Sequence, residues 1–90
     1  MNILTYRVEI HSAAQKQLLS LPREAQVEIT HTIDRFAETP RPIGCKILRE
    51  TKLWRIRVGR HRVVYSINDK ARLITIVKVA IRKEDTYKGL

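Results

Sequence analysis

The run Leu53-Trp54-Arg55-Ile56-Arg57-Val58-Gly59-Arg60-His61-Arg62-Val63-Val64-Tyr65 sets arginines at alternate positions among apolar residues. Successive side chains of a β-strand point to opposite faces. The spacing therefore predicts Trp54, Ile56 and Val58 in a core, with Leu53, Arg55 and Arg57 sharing the other face. Pairing 53–58 with 61–67 as a hairpin around Gly59 brings Arg62 to the same face, extended by Val64 and Ser66, while Val63, Tyr65 and Ile67 turn inward. Between Arg41 and Arg62 there are eight Lys/Arg residues and one acid, Glu50. A solvated face ordinarily mixes charge signs, and a surface of one sign repels itself at a cost in folding energy. Such a face points to a polyanionic partner.

The charge is uneven along the chain. The net charge is +9 over 90 residues, of which residues 1–40 contribute −1, residues 41–62 contribute +7 and residues 63–90 contribute +3. That asymmetry favours nucleic acid or an acidic protein as partner. A membrane partner is not expected, because no basic amphipathic helix accompanies the charge and no segment approaches the roughly 18 apolar residues of a span. Met1 to Ile10 mixes Asn2, Arg7 and Glu9 into its apolar residues and lacks the plan of a signal peptide. A single cysteine, Cys45, rules out an internal disulfide framework and a multi-Cys metal site. Its setting suits an inert, partly buried thiol in a reducing cytoplasm. No cofactor or metal is expected.

The elements that must position the arginines follow from periodicity. Residues 3–10 alternate as a half-buried strand, with Tyr6, Val8 and Ile10 on one side. Ser12 suits the N-cap of a helix through Leu19. Pro22 ends that helix or begins the next, in which Leu21, Ala25, Ile29, Ile33 and Phe36 recur at spacings of three and four. Thr39 to Gly44 stops helix formation. Strands follow at about 45–49, 53–58, 61–67 and 72–81, with turns at Gly59 and at Asn68-Asp69-Lys70. The expected fold is α+β in one domain, residues 1–90. Its order is β-α-α-β-β-β(-β), a helical hairpin covering one face of a mainly antiparallel sheet.

Several segments, taken in order, resemble the RelE/ParE toxin superfamily. They are Tyr6-Arg7-Val8, Ala14…Lys16…Leu18, Leu21-Pro22, Pro40-Arg41-Pro42, Lys46-Ile47-Leu48, Trp54 to Gly59, Arg62-Val63-Val64-Tyr65 and Arg82…Tyr87. The resemblance runs from about residue 5 to residue 87. Toxins of its RelE branch are held inactive by a cognate antitoxin, in hetero-oligomeric complexes, and cut mRNA in the ribosomal A site. The resemblance thus implies an antitoxin, mRNA and the ribosome with its rRNA as partners. It further implies attack by a ribose 2′-hydroxyl on the adjacent phosphate. Arg55 and Arg57 match basic positions of the third-strand motif, and Arg62 matches the arginine of the next strand. Arg82 matches the arginine near the C-terminus, and Tyr87 the tyrosine that stacks on the scissile nucleotide or donates a proton near it. Fixed cations suit charge building on phosphate oxygens, and arginine's planar fork can hold two of them while staying protonated.

Two departures from the family pattern bear on mechanism. Well-studied members of the family carry lysines where this chain has Arg55 and Arg57, and arginine hardly loses its proton, so no general base is assigned. Many relatives carry a histidine where this chain has Ile81; His61 lies beside the arginines in sequence, yet its alternation points it away from Arg62. Lys46, Arg49, Lys52, Arg60 and His61 are expected to steer and bind RNA rather than react. Trp54 and Tyr65 fit the core at strand spacing, and His11 and His31 read as surface residues. Two alternatives stay open: a ParE-like toxin that poisons DNA gyrase without cutting anything, and a catalytically degenerate nucleic-acid binder.

Overall fold

The computed structural model describes residues 5–81. The first alternating stretch forms β1 (Arg7–Ile10), with Tyr6, Val8 and Ile10 packed against the core. α1 (Ser12–Leu19) follows at once, but its N-cap is His11 and not the expected Ser12. The His11 amide still donates to the Ile76 carbonyl at 2.8 Å, so the chain remains extended through this residue. The helix can turn only after it, and the His11 ring nitrogen Nδ1 accepts from the Ala13 amide at 3.3 Å.

Pro22 caps α2 (Arg23–Arg35) with backbone only. The side-chain amide of Gln26 donates to the Leu21 and Leu19 carbonyls at 2.8 and 3.3 Å and closes the corner between the helices. Ile29, Ile33 and Phe36 are buried, as their spacing predicts.

Four further strands complete the sheet: β2 (Lys46–Leu48), β3 (Leu53–Val58), β4 (His61–Asn68) and β5 (Leu73–Ile81). Their spatial order is β1-β5-β4-β3-β2. Every neighbouring pair is antiparallel except β1 with β5, which run parallel with Arg7 opposite Leu73. Gly59 opens the β3–β4 turn at φ +61, a region that L side chains enter at a cost. Lys52 holds φ +61 in the β2–β3 turn without glycine's freedom.

A bulge interrupts β5. Val64 stands opposite Lys78, but the next residue, Tyr65, stands opposite Ile76, which leaves Val77 as the extra residue. The bulge resets the alternation, so Ile74, Ile76 and Val79 all face inward despite their uneven spacing. The Val79 amide is satisfied by the Gln17 side chain of α1, whose Oε1 accepts it at 2.7 Å. The core gathers Ala14 and Leu18 of α1 and Ile29, Ile33 and Phe36 of the α2 segment. Ile56, Val58, Val63, Tyr65, Ile74, Ile76 and Val79 complete it from the sheet. Tyr65 is fully buried, its ring stacked on Phe36 with centroids 4.2 Å apart. Both helices thus lie on one face of the sheet, and among the described residues no element covers the other.

Candidate nucleic-acid interface

Cross-strand register fixes what the open face presents. Lys46 stands opposite Arg55, Arg55 opposite Val64, and Val64 opposite Lys78. In the neighbouring row, Arg57 stands opposite Arg62 and Arg62 opposite Ala80. Residues directly opposed on adjacent strands share a face, so Lys46, Arg55, Arg57, Arg62 and Lys78 converge on one surface drawn from four strands. Among the described residues, no carboxylate pairs with Lys46, Arg55, Arg57 or Lys78. Among the described residues of these strands, the acid on this face is Glu9, which sits in β1 at the far edge and is matched by Arg7 at 3.0 Å. Among the described residues, charge is therefore balanced at the β1 edge of the sheet, whereas Lys46, Arg55 and Arg57 toward the other edge have no carboxylate partner.

β2 is short and begins at Lys46, so no strand covers β3 beyond Arg55 on that side. A cavity of about 300 Å³ opens there, lined by Ile43, Gly44, Lys46, Arg55, Ile56 and Arg57. Two guanidinium groups and an ammonium around such a cleft suit phosphate oxygens, which accept charged hydrogen bonds from each.

The face is less uniformly basic than alternation suggests. Leu48 stands opposite Leu53, and a second cavity of about 260 Å³ is lined by these two with Thr51, Arg62, Val64, Lys78 and Ala80. Val64 is only 9% exposed although it lies on the open side. This apolar floor escapes a reading of single segments, because its residues come from four strands. Lys78 escapes it as well, since the bulge decides which way it faces.

The remaining candidates fall elsewhere. Arg49 and Lys52 are exposed in the β2–β3 turn, and Arg60 is exposed in the β3–β4 turn. His61 stands opposite Val58 and Ile81, on the helix side of the sheet and away from the arginines. Arg82 and Tyr87 lie outside the described residues. The last described residue, Ile81, stands opposite His61 in β4.

Arg41, counted with the basic stretch, serves a different site. Its guanidinium lies 5.0 Å from the centroid of Trp54 and binds the Asp69 carboxylate at 2.9 and 3.4 Å. The Tyr6 hydroxyl donates to the same carboxylate. Trp54 packs against the core from the helix side, so this clasp lies behind the sheet. Arg41, and secondly Tyr6, holds the Asp69 carboxyl below the usual carboxylate range. Asp69 in turn raises the Tyr6 phenol and the Arg41 guanidinium. The Tyr65 hydroxyl donates to the Pro40 carbonyl at 2.9 Å, and burial raises its pKa. Pro40-Arg41-Pro42 is thus an anchored connection and not a free basic arm. Cys45 packs partly buried beside it. Among the described residues no His/Cys/Asp/Glu group stands together for a metal, and no helix is long and apolar enough to cross a membrane.

The molecule is a small α+β protein with one sheet face under helices and the other cationic around an apolar patch. The family model for the ParE toxin of type II toxin–antitoxin systems, parDE, matches residues 8–86. The chain belongs to this RelE/ParE family of type II toxin–antitoxin toxins. It is 30% identical to a protein of Methanocaldococcus jannaschii that carries the name toxin RelE1, over 96% of this chain and 99% of that one. The toxin fold in the archaeal RelE–RelB complex from Pyrococcus horikoshii superposes with a TM-score of 0.81 at 35% identity, covering 89% of this chain and 98% of that one. The isolated Escherichia coli RelE toxin shares the fold at a TM-score of 0.77 and 17% identity, covering 93% of each chain.

Proposed function

We propose that this toxin is an endoribonuclease that cuts mRNA in the ribosomal A site and is neutralised by a cognate antitoxin in a hetero-oligomeric complex. The observation that carries the reading is the register of Lys46, Arg55, Arg57 and Arg62 on one face of the sheet. In the reaction a ribose 2′-oxygen attacks the adjacent phosphorus, and the bond to the 5′-oxygen breaks. The products are a cyclic phosphate and a free 5′-hydroxyl. Negative charge grows on the phosphate oxygens as the attack proceeds. Arg55, Arg57, Arg62 and Arg82 are the groups assigned to hold it, because they stay cationic throughout. Tyr87 is assigned to stack on the scissile nucleotide or to donate a proton to the departing oxygen. Lys46, Arg49, Lys52 and Arg60 draw the RNA in by charge, whereas His61 faces away. With arginine at positions 55 and 57, rate enhancement rests on alignment and charge. RelB accompanies the toxin in the Pyrococcus complex, which supports an antitoxin partner here.

Inducing the chain in cells and mapping mRNA 5′ ends tests the reading. Cuts inside translated codons are expected. Arg62→Ala and Arg82→Ala should each lower cleavage on the order of 10²-fold, the usual effect of removing one fixed charge-stabilising group, with the fold intact by circular dichroism. Full toxicity in both variants overturns the assignment. The ParE description of the matching family model favours a second reading, gyrase poisoning without cleavage. Intact mRNA with an induced DNA-damage response would select it.

A further inference from the structure

The apolar floor of the second cavity, and Lys78 beside it, have no part in the phosphate chemistry just assigned. Leu48, Leu53, Val64 and Ala80 form its floor, and Arg62 and Lys78 stand on its rim. Lys78 is exposed, diagonal to Arg62 across β4 and β5, and has no carboxylate partner among the described residues. The Thr51 hydroxyl closes the remaining side but is engaged within its own turn. It donates to the Leu48 carbonyl at 3.3 Å and accepts from the Leu53 amide at 3.2 Å. The cavity therefore joins flat apolar surface to cations at one rim, with little hydrogen-bonding capacity in its floor.

That combination fits one nucleotide of single-stranded RNA, with its base on the aliphatic floor and its phosphate on the ammonium. Apolar contact is indifferent to base identity, whereas the phosphate contact is electrostatic and salt-dependent. We propose that this cavity is a nucleotide subsite beside the scissile phosphate, with Lys78 gripping the phosphate of a non-reacting nucleotide and Leu53 and Val64 supporting its base. The proposal deepens the nuclease reading and rests on the same face. Lys78 is a positioning residue here: it holds the strand so that the neighbouring phosphate lies against the arginines. The bulge at Val77 makes the arrangement possible, because it turns Lys78 to the open side while Val79 enters the core.

Equilibrium binding by fluorescence anisotropy, with short single-stranded RNA and an abasic ribose-phosphate strand of equal length, separates the two contacts. The wild-type protein should bind the base-bearing strand more tightly, by roughly tenfold, as burial of apolar base surface on the aliphatic floor requires. Lys78→Ala should weaken both strands and lower the slope of log affinity against log salt by about one, the signature of a lost phosphate contact. Leu53→Ser should keep the slope and lose the preference for bases, with thermal melting confirming that both variants fold. A wild-type protein indifferent to bases, or Lys78→Ala with an unchanged salt slope, overturns the subsite. Lys78-dependent binding of poly-glutamate in preference to RNA assigns the cavity to an acidic protein segment and also overturns it. The mRNA cleavage assay reads the nuclease assignment separately. RNA binding as described without cleavage overturns that assignment and leaves the subsite, whereas cleavage unaffected by Lys78→Ala with an unchanged slope does the reverse.

Discussion

Arg62 and Tyr65 lie in the same strand and face opposite ways, and their substitutions should separate function from stability. Arg62 belongs to the open face and its loss is read in cleavage. Tyr65 is buried, stacks on Phe36 and donates to Pro40. Tyr65→Phe keeps the stack and removes the donor, and is expected to cost about 0.5–1.5 kcal/mol. Tyr65→Ala also removes the ring, at about 3–5 kcal/mol, a large part of the stability of a domain this small. Urea denaturation reads both values, and equal losses in the two variants would show that the hydroxyl dominates. Tyr65 was legible in the sequence as a core residue from its alternation with Val63 and Ile67. Its bond to Pro40 was not, because no local pattern reports a contact across 25 positions.

At the scale of elements, the clasp behind the sheet joins the connection before β2 to the turn between β4 and β5. Arg41, Asp69 and Tyr6 come from three separate parts of the chain. Asp69 has its pKa lowered in the fold, so its contribution is present at neutral pH and is lost as pH falls through that lowered value. Tyr6 has its pKa raised, so its share persists below the ordinary phenol range and is lost as pH rises through the raised value. The clasp should therefore hold across the window between. Melting temperatures recorded from neutral pH downward should fall more steeply for the wild type than for Asp69→Asn, and parallel curves would remove Asp69 from the account. Periodicity foresaw α2 and the β3–β4 hairpin, since each is decided by local spacing. It placed the first cap one residue late, because the strand hydrogen bond at His11 depends on β5, far along the chain. It counted Arg41 in the charge of the basic stretch and left its partner unnamed, because nothing near position 41 announces Asp69.

For the whole molecule, the division of charge between the two faces sets stability against function. Lys46 and Arg55 are directly opposed across β2 and β3 with no intervening acid, and like charges in that position destabilise a sheet. Arg55→Thr is therefore expected to stabilise the fold by about 0.2–1 kcal/mol while weakening toxicity. Thermal unfolding together with growth arrest on induction would check both, and a variant less stable than the wild type would count against repulsion. Added salt should raise the wild-type melting temperature by screening the same pair. The sequence showed that the cations share a face because two adjacent strands settle it. The apolar floor among them needs β2, β3, β4 and β5 in register, which no single segment encodes.

The parallel pairing of β1 with β5 also bears on when the toxin becomes active during its own synthesis. Arg7 must wait for Leu73, and α1 packs on the same late strand through Gln17 and Val79. Pairings of such long sequence separation form late, after their loop-closure entropy has been met. A growing chain that ends at Asn68 contains the residues of the β3–β4 hairpin with its arginines but lacks β5, the strand that both β1 and α1 require. Nascent chains arrested at Asn68 should be digested readily by protease, while chains extended past Ile81 and clear of the ribosomal tunnel should resist. On this schedule the proposed RNA-binding face is assembled only once β5 has been made and can pair with β4 and β1.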